Sequence, residues 1–416
     1  MKACIHRGTQ QIGGTCVELE SQDVRIVLDI GLPLEAGCAC DDPTSLPAVS
    51  GFSQADPSLL GVVISHPHLD HYGLAHHLPS GTRFLIGQAA QRMLAAADPF
   101  SPAGVHLEPC IFLEDRKRID LGPFTITPYL MDHSAYDAYA VLIQADGRAL
   151  FYTGDLRAHG RKGKLFDKLL RLGPERVDVL LMEGTTIGRT GAAKGFETEE
   201  QLEVRLAAVF KRTAGMALAW CSGQNIDRLV TVFKAARRAG RGLIIDMYTA
   251  EMLRATGNPH LPQAEWEGVR VFLPSNQKRR ITAAEVFHVA ERYKSRRVYP
   301  ETLAAAAPRS VMIFRPSMAD DLDRAHCLSG ARMVYSMWTG YLRDPRTQRV
   351  LDWLRERDIA LEECHTSGHA AVADLQRLRR HFAAASVVPI HTQHADQFEE
   401  LFGNVQLRKD GEPWDV

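Results

Sequence analysis

The sequence predicts an α/β protein of two domains, one of which is interrupted by the other. Short strand-like segments fill about the first 190 residues, and several of them end directly at a histidine, an aspartate or a glutamate. Near residue 195 the pattern changes to a regular alternation of helices and strands. After about residue 350 the first pattern returns, which indicates a single domain split by an insertion.

The composition is that of a globular protein. The 416 residues suit two domains of roughly 100–200 residues each. No apolar segment approaches the ~20 residues of a membrane span, and the N-terminus lacks the apolar region of a signal peptide. We therefore expect a soluble, cytoplasmic protein with no membrane partner. Among eight cysteines, Cys38 and Cys40 form the closest pair; a surface loop is the expectation, and a metal or redox role the alternative.

The segments on either side of the insertion carry the strand signals. Predicted strands cover residues 14–20, 24–30, 60–64, 139–145, 148–153, 177–182, 360–363 and 386–390. Side chains that follow strand ends are typical functional positions of a layered α/β scaffold. We assign residues 1–194 and 346–416 to this discontinuous domain.

The insertion, residues 195–345, alternates helices and strands. Thr198 and Gln201 predict a capping box that opens a helix. A strand at 216–220, a helix that stops at Gly240 and a strand at 243–247 follow. This order predicts βαβ units with a parallel sheet.

The segment HPHLDH at residues 66–71 is the strongest motif. In an extended backbone His66, His68 and Asp70 project to one side, because side chains alternate with period 2. His71 faces a second position. Imidazole and carboxylate together suit zinc or manganese. The segment therefore predicts a metal site.

Four ligands on one segment cannot complete two metal positions, so distant ligands are expected. His133 lies in MDHSA, and His391 follows a predicted strand in VPIH. Asp155 lies in YTGD, where the glycine allows a tight backbone turn. A lone residue of these types at a strand end is usually structural, but here the HPHLDH segment requires partners.

Together these segments resemble the metallo-β-lactamase superfamily. Three segments are similar to motifs of the β-CASP nuclease branch of this superfamily. Glu183, in LLMEGT, resembles the acidic motif A. SGHA at 367–370 resembles motif B, and PIH at 389–391 resembles motif C. SGQNIDR at 222–228 and FRPSM at 314–318 are most similar to ribonuclease J. The resemblance covers nearly the whole chain. It implies a metallo-β-lactamase αββα sandwich with an inserted β-CASP α/β domain.

The resemblance also implies roles for individual residues. The implied ligands are His66, His68 and His133 for one metal ion, Asp70, His71 and His391 for the other, and Asp155 as the bridge. Asp29 would orient ligands through hydrogen bonds, and Glu183 would orient His369 or His391. His369 would contact the scissile phosphate and donate a proton to the leaving oxygen. Asp70 is a candidate catalytic base where it is not fully used as a ligand.

The implied activity is hydrolysis of phosphodiester bonds in single-stranded RNA, by exonuclease or endonuclease action or both. It would use two divalent metal ions, Zn or Mn, and a hydroxide that bridges them. A DNA nuclease of the same branch is the alternative. A small-molecule ester, thioester or lactone hydrolase is disfavoured, because such an enzyme has no use for the insertion or for motifs B and C.

Motif C departs from the ribonuclease J pattern, because it continues as His391-Thr392-Gln393-His394 rather than His-Gly-Glu. We favour His391 over His394 as the ligand, since His391 directly follows the strand. Nothing after motif C matches the C-terminal domain that aids assembly of many ribonuclease J proteins, so the oligomeric state stays open, a homodimer included.

Substrate contacts are harder to assign. Candidate phosphate-binding residues are Ser367, Ser222, Asn225, Arg228 and Ser317, with helix N-capping as the alternative for those in the insertion. The net charge is −1, so a polyanion must bind through a local field. The candidates are four basic segments, at 157–164 (RAHGRKGK), 278–280 (KRR), 292–297 (RYKSRR) and 377–380 (RLRR), although a solvated face is the ordinary interpretation of each.

Overall fold

The structure is a computed structural model, and it describes residues 1–34, 42–101, 104–174, 176–189, 191–383 and 385–416. Cys38 and Cys40 lie outside the described residues. The chain divides into two compact units. The first comprises Met1–Ala95, Val105–Phe196 and Gly368–Val416, and the second comprises Ala96–Gly104 and Glu197–Ser367.

The first unit begins with strands rich in β-branched and aliphatic residues. They are β1 (Lys2–Arg7), β2 (Cys16–Ser21), β3 (Val24–Leu28), β4 (Leu59–Val63), β5 (Phe84–Gly87) and β6 (Cys110–Leu113), with helices α1 (Leu69–Tyr72) and α2 (Gln88–Ala97). β1 to β3 form an antiparallel meander, and β3 to β6 run parallel. The parallel strands are separated by longer connections, as crossovers require.

The next segment builds a second sheet. Its elements are β7 (Ile119–Leu121), β8 (Phe124–Met131), β9 (Ala138–Ala145), β10 (Arg148–Tyr152), α3 (Lys164–Leu172) and β11 (Val179–Glu183). β9 and β10 form a hairpin, whereas β10 and β11 pair in parallel across the α3 crossover. Parallel pairing brings the carboxyl ends of β10 and β11 to the same edge.

The second unit alternates strands and helices. In chain order the elements are α4 (Glu199–Arg212), β12 (Ala217–Trp220), α5 (Ile226–Arg238), β13 (Gly242–Asp246), α6 (Met247–Ala255), β14 (Val269–Phe272), α7 (Ser275–Ala283), α8 (Phe287–Arg292), β15 (Arg297–Val298), α9 (Pro300–Ala306), β16 (Ser310–Phe314), α10 (Ala319–Arg324), β17 (Arg332–Tyr335), α11 (Pro345–Glu356) and β18 (Ala360–Glu363). The predicted capping box of Thr198 and Gln201 is confirmed at the start of α4.

The chain then returns to the first unit with α12 (Val372–His381), β19 (Ser386–Ile390), α13 (Phe398–Phe402) and β20 (Pro413–Asp415). The first unit contains two sheets, ordered β20-β1-β2-β3-β4-β5-β6 and β19-β11-β10-β9-β8-β7. The second unit has one sheet, ordered β15-β14-β13-β16-β12-β17-β18, in which every pairing is parallel. The predicted parallel sheet is therefore confirmed.

The two sheets of the first unit pack face to face. One core cluster contains inward residues of both, such as Ile5 and Leu28 from one sheet and Val141 and Leu181 from the other. On the outer face of the second sheet, Phe166 of α3 packs with residues of α12 and α13. α1 and α2 cover the outer face of the first sheet. The predicted αββα sandwich is confirmed.

The second unit extends further along the sequence than the predicted insertion. We placed the end of the insertion at residue 345, but α11 and β18 belong to the second unit, which continues to Ser367. The reason is strand pairing, because β18 adds to β17 in parallel from Ala360 to Glu363. In the described part of the chain, no helix has the length and apolar character that crossing a membrane requires.

Candidate metal centre

The candidate site lies at one edge of the first unit, where several strands end. β10, β11 and β19 are parallel neighbours, and Glu183 at the end of β11 stands opposite Ile390 of β19. Asp155 follows β10, and His391 follows β19. Carboxyl ends of parallel strands meet at one edge of a sheet, which is a common place for ligand sites. Three chemical groups distant in sequence are thereby brought together.

The HPHLDH segment changes conformation midway. His68 is extended, with φ −99° and ψ 144°, and the short helix α1 begins at Leu69. The expected extended run therefore stops before Asp70, and this part of the prediction is wrong. The helical turn directs Asp70 toward His391, whereas the His71 ring stays beside His66 with 4.0 Å between their centroids. The segment therefore supplies ligands to two adjoining groups.

The first group consists of three buried or half-buried imidazoles. Nε2 of His66 lies 3.2 Å from Nδ1 of His68, and Nε2 of His133 lies 3.1 Å from the same atom. Burial lowers the pKa of His68 to about 4 and lowers the pKa values of His66 and His133 well below the ordinary range. All three are therefore neutral near pH 7, as metal ligation requires.

The second group comprises Asp70, His71 and His391. Nε2 of His391 lies 3.3 Å from Oδ2 of Asp70. Burial alone would raise the pKa of Asp70, but a hydrogen bond from His391 and the nearby His71 lower it. The carboxylate is therefore ionised and available to a cation.

Asp155 lies between the two groups. Its Oδ2 is 3.2 Å from Nε2 of His71 and 3.7 Å from Nε2 of His66, and its Oδ1 is 3.6 Å from Nδ1 of His391. Gly154 immediately before it has a φ of +51°, so the tight turn predicted for this glycine is confirmed. The turn directs the Asp155 carboxylate into the cluster.

The donor set fits a divalent cation. Both carboxylate oxygens of Asp155 and Nε2 of His71 are buried without a hydrogen bond to any described residue. Buried polar atoms are ordinarily paired, so atoms that converge without pairing indicate a ligand. Imidazole nitrogens and carboxylate oxygens are borderline ligands that suit first-row divalent metals. The donor set and spacing of this cluster therefore fit a divalent metal ion.

A shell of hydrogen bonds centred on Asp29 holds this cluster in place. Asp29 Oδ2 lies 2.8 Å from Nδ1 of His71 and accepts hydrogen bonds from Ser65 Oγ at 2.8 Å and Tyr152 OH at 2.6 Å. Ser65 Oγ in turn lies 3.0 Å from Nδ1 of His66. Asp29 thus fixes His71 with Nε2 facing the cluster. Ser65 and Tyr152 could not be identified from the sequence, because isolated hydroxyl groups carry no spacing signal.

Glu183 connects the metal cluster to His369. Its carboxylate accepts hydrogen bonds from the backbone N–H groups of Leu156 at 3.1 Å and Thr185 at 3.2 Å. Its Oε2 also lies 3.3 Å from Nδ1 of His369, which is 3.6 Å from Asp155 Oδ2. Glu183, Asp155, His369 and His391 form a further group with metal-binding spacing. Because backbone N–H groups already donate to the Glu183 carboxylate, this side chain is better suited to orienting His369 than to binding a metal ion.

His391 is positioned by the hydroxyl of Thr185, which lies 2.8 Å from its Nδ1. The backbone of His391 has a φ of +52°, an uncommon value for a non-glycine residue that often marks functional sites. His394 instead contacts Gln397, and its ring lies where a side chain at Gly188 would be. Among the described residues, His394 belongs to no group with metal-binding spacing.

Gly31 is required for the close approach of two segments. A Cβ built at this position would lie 1.8 Å from the backbone oxygen of Asp70. We expect Gly31→Ala to lower the free energy of unfolding by about 3 kcal/mol and to reduce metal content, because Asp70 and His71 must shift. Chemical denaturation and elemental analysis measure both effects.

Gly147→Ala is the control, since its φ is +71° and a Cβ there meets no atom within 4 Å. It should cost about 1 kcal/mol through backbone strain and leave the metal content unchanged. A Gly31→Ala protein with full metal content would contradict the proposed packing.

The candidate phosphate contacts fall into two classes. Ser222 and Ser317 are exposed, Asn225 N-caps α5 by accepting from the Arg228 backbone at 3.0 Å, and Ser367 is half-buried. Arg228 is fully buried. Its guanidinium pairs with Glu199 at 3.1 Å and donates to the carbonyl of Ser336 at 2.9 Å. The predicted phosphate-binding role of Arg228 is therefore wrong, because its donors are already used.

The basic segment at 157–164 is also corrected by the structure. Arg157 is fully buried rather than solvated, and its Nε lies 3.4 Å from the buried carboxylate of Asp132. Asp132 Oδ2 accepts from the backbone of Gly160 at 2.7 Å. These contacts hold the loop that follows Asp155 against the segment that carries His133. The role of Asp132 beside His133 could not be predicted from the sequence, because it depends on Arg157 and Gly160, which are distant in the chain.

Comparisons with known proteins agree with this geometry. A family model described as a β-lactamase superfamily domain matches residues 42–219. Ribonuclease J of Helicobacter pylori is 23% identical over 403 residues, which cover 93% of this chain and 55% of that protein. Ribonuclease J of Sinorhizobium meliloti is 22% identical over 361 residues, which cover 84% and 60%. An RNase J-like protein of Methanocaldococcus jannaschii is 27% identical over 192 residues, which cover 43% and 41%.

The chain spans 55% and 60% of the length of the two ribonuclease J proteins. A crystal structure of a protein of unknown function from Enterococcus faecalis has the same fold, with a TM-score of 0.80, 21% sequence identity and 99% coverage of both chains. The sandwich, the HPHLDH segment and the family match agree. The chain therefore has the metallo-β-lactamase fold, is similar to the β-lactamase superfamily domain over residues 42–219, and is similar to ribonuclease J over most of its length.

Proposed function

We propose that this chain hydrolyses phosphodiester bonds of RNA with the help of two divalent metal ions, Zn or Mn. The position of Asp155 carries the proposal, because its two oxygens face nitrogens of both ligand groups. A carboxylate in that position can bridge two cations. Two-metal sites of this kind are typical of nucleases and phosphatases.

The proposed ligands are His66, His68 and His133 for one ion, Asp70, His71 and His391 for the other, and Asp155 between them. When bound, such ions polarise a phosphate ester and make water acidic enough to act as a nucleophile near neutral pH. Asp29 and Thr185 hold His71 and His391 in the required orientations. Because the pKa of Asp70 is lowered, we assign it to ligation rather than to general-base catalysis.

His369 is the proposed proton donor to the leaving oxygen. Burial alone would lower the pKa of its imidazole, but the carboxylates of Glu183 and Asp155 raise it above the ordinary value. Its Nδ1 faces these carboxylates, so Nε2 lies on the opposite side of the ring. A protonated imidazole held in this way is a suitable general acid.

We expect His369→Ala to reduce kcat about 100- to 10,000-fold, the usual contribution of a general acid, while both metal ions stay bound. Elemental analysis and single-turnover cleavage measure the two effects. Loss of one ion in this variant would mean that His369 is a ligand, and would contradict its assignment as proton donor.

Similarity to ribonuclease J across 93% of the chain supports RNA as the substrate and the second unit as a β-CASP domain. The test uses single-stranded RNA and DNA of one sequence, each with 5′-hydroxyl and 5′-phosphate ends, incubated with Mn²⁺ or Zn²⁺. We expect cleavage of RNA, and the fragment ladder separates exonuclease from endonuclease action. Cleavage of DNA with RNA left intact would overturn the proposal.

A further inference from the structure

A pocket of about 420 Å³ opens at the amino-terminal edge of the sheet in the second unit. Residues at or near the starts of β13, β14, β15 and β16 line it. These strands are parallel, so their first residues meet at one edge. The volume lies within the roughly 300–1,000 Å³ range of small-molecule pockets.

Three guanidinium groups line this pocket, those of Arg270, Arg297 and Arg309, and no acidic side chain lines it. Within the described chain, none of the three forms an ion pair. Like charges held together without a counter-charge favour an anionic ligand. We call this site the arginine pocket.

Arg297 differs from the other basic residues of the RYKSRR segment in its hydrogen bonds and ion pairs. Arg292 pairs with Glu251 at 2.5 Å, Lys294 pairs with Glu291 at 3.0 Å, and Arg296 donates to a backbone carbonyl at 2.7 Å. Arg297 instead has a buried Nε without a hydrogen bond to any described residue. Buried donors ordinarily have a partner, so this half-buried guanidinium is available to an anionic ligand.

Tyr299 adds an aromatic surface beside this arginine. The Arg297 guanidinium carbon lies 4.9 Å from the centroid of the Tyr299 ring, and Tyr299 is 45% exposed. Arginine forks match phosphate geometry, and an exposed ring stacks with a nucleobase of any identity. The combination of uncompensated guanidiniums and an exposed ring is typical of single-strand binding sites.

We propose that the arginine pocket binds a segment of single-stranded nucleic acid, with phosphates at the guanidiniums and a base against Tyr299. The choice of RNA as the strand rests on the proposed function. Binding in the arginine pocket needs no metal ion. All residues proposed to contact the strand there belong to the second unit, whereas the metal-cluster residues belong to the first.

The test measures binding of a labelled RNA of about 20 nucleotides to the full chain by fluorescence anisotropy, with metal chelated and salt varied. For single strands, log K falls with log[salt] by about 0.7 for each phosphate neutralised. We expect Arg270→Gln/Arg297→Gln to reduce the slope by about 1.4. The control Arg346→Gln/Arg349→Gln removes the same charge from exposed positions of α11 and should leave the slope unchanged. Equal changes in both variants would overturn the proposal.

Tyr299→Leu tests the stacking contact separately. Loss of one stacked base should weaken binding about fivefold or more, while the salt slope stays the same because no charge is removed. A nucleoside monophosphate should bind far more weakly than the strand. Equal affinity for the mononucleotide and the strand would overturn the assignment to a strand.

The outcomes distinguish this proposal from the proposed catalytic function. If RNA binds through Arg270 and Arg297 but is not cleaved with Mn²⁺ or Zn²⁺, the arginine pocket stands and the nuclease proposal fails. If RNA is cleaved but the pocket variants bind like the wild type, the nuclease proposal stands and the arginine pocket fails.

Discussion

Asp155→Asn should release both metal ions and reduce phosphodiester hydrolysis by about a thousandfold or more, since bound metals supply several kcal/mol of transition-state stabilisation. The asparagine keeps the shape of the side chain but removes the charge that faces both ligand groups. His71 and His391 currently hold the pKa of Asp155 well below its ordinary range, against the effect of burial. Elemental analysis of the purified protein and single-turnover cleavage measure the two losses.

His68→Ala provides the informative comparison. His68 lies in the group with His66 and His133 and in no other group among the described residues. We therefore expect this variant to lose the ion of that group and retain the second. Loss of both ions in each variant would show that Asp155 has no special bridging position.

His394→Ala is the matched control, because it removes an imidazole three positions from His391. His394 contacts Gln397 rather than the cluster. We expect full metal content and activity. Loss of an ion from this variant would contradict the choice of His391 over His394 as the ligand.

Part of the site could be anticipated from the sequence, through the order of the strands and through one glycine turn. Polar side chains that follow buried strands collect at one sheet edge, which brings together Asp155, Glu183 and His391. Gly154 signalled the turn before Asp155. The direction of Asp70 could not be anticipated, because a four-residue helix, α1, has no periodicity of its own.

The hydrogen-bond network around the cluster could not be read from the sequence. Tyr152 and Asp29 are 123 residues apart yet 2.6 Å from each other, and neither local spacing nor hydrophobic periodicity encodes such a contact. The end of the insertion was misplaced for a related reason. β18 carries charged residues and only partly buried side chains, so its sequence does not reveal which sheet it joins.

Arg228 shows that one sequence pattern is compatible with two different structural roles. A polar residue at the start of a helix is compatible with phosphate binding and with internal pairing alike. The decisive feature is the neighbouring helix α4, which presents Glu199 to the guanidinium. Thr231 also donates to Glu199 at 2.6 Å, so the carboxylate is held from two sides.

We expect Arg228→Leu to lower the free energy of unfolding of the second unit by about 3–5 kcal/mol, the usual cost of breaking a buried ion pair. The change removes the guanidinium that pairs with Glu199 and that donates to the carbonyls of Ser336 and Thr366. Tryptophan fluorescence is a suitable measure, because four of the five tryptophans belong to this unit: Trp220, Trp266, Trp338 and Trp353.

Arg238→Leu is the matched control on the same helix. Arg238 also pairs with a glutamate of α4, Glu203, at 2.6 Å, but its side chain is 61% exposed. An exposed pair contributes less than about 1 kcal/mol, so the unfolding midpoint should hardly move. If Arg228→Leu instead left stability unchanged and weakened RNA binding, Arg228 would be a phosphate contact after all. Both arginines pair with a glutamate of α4, and both variants lose one positive charge. A large difference in their loss of unfolding free energy would therefore show that burial of the pair, rather than its charge, sets the cost.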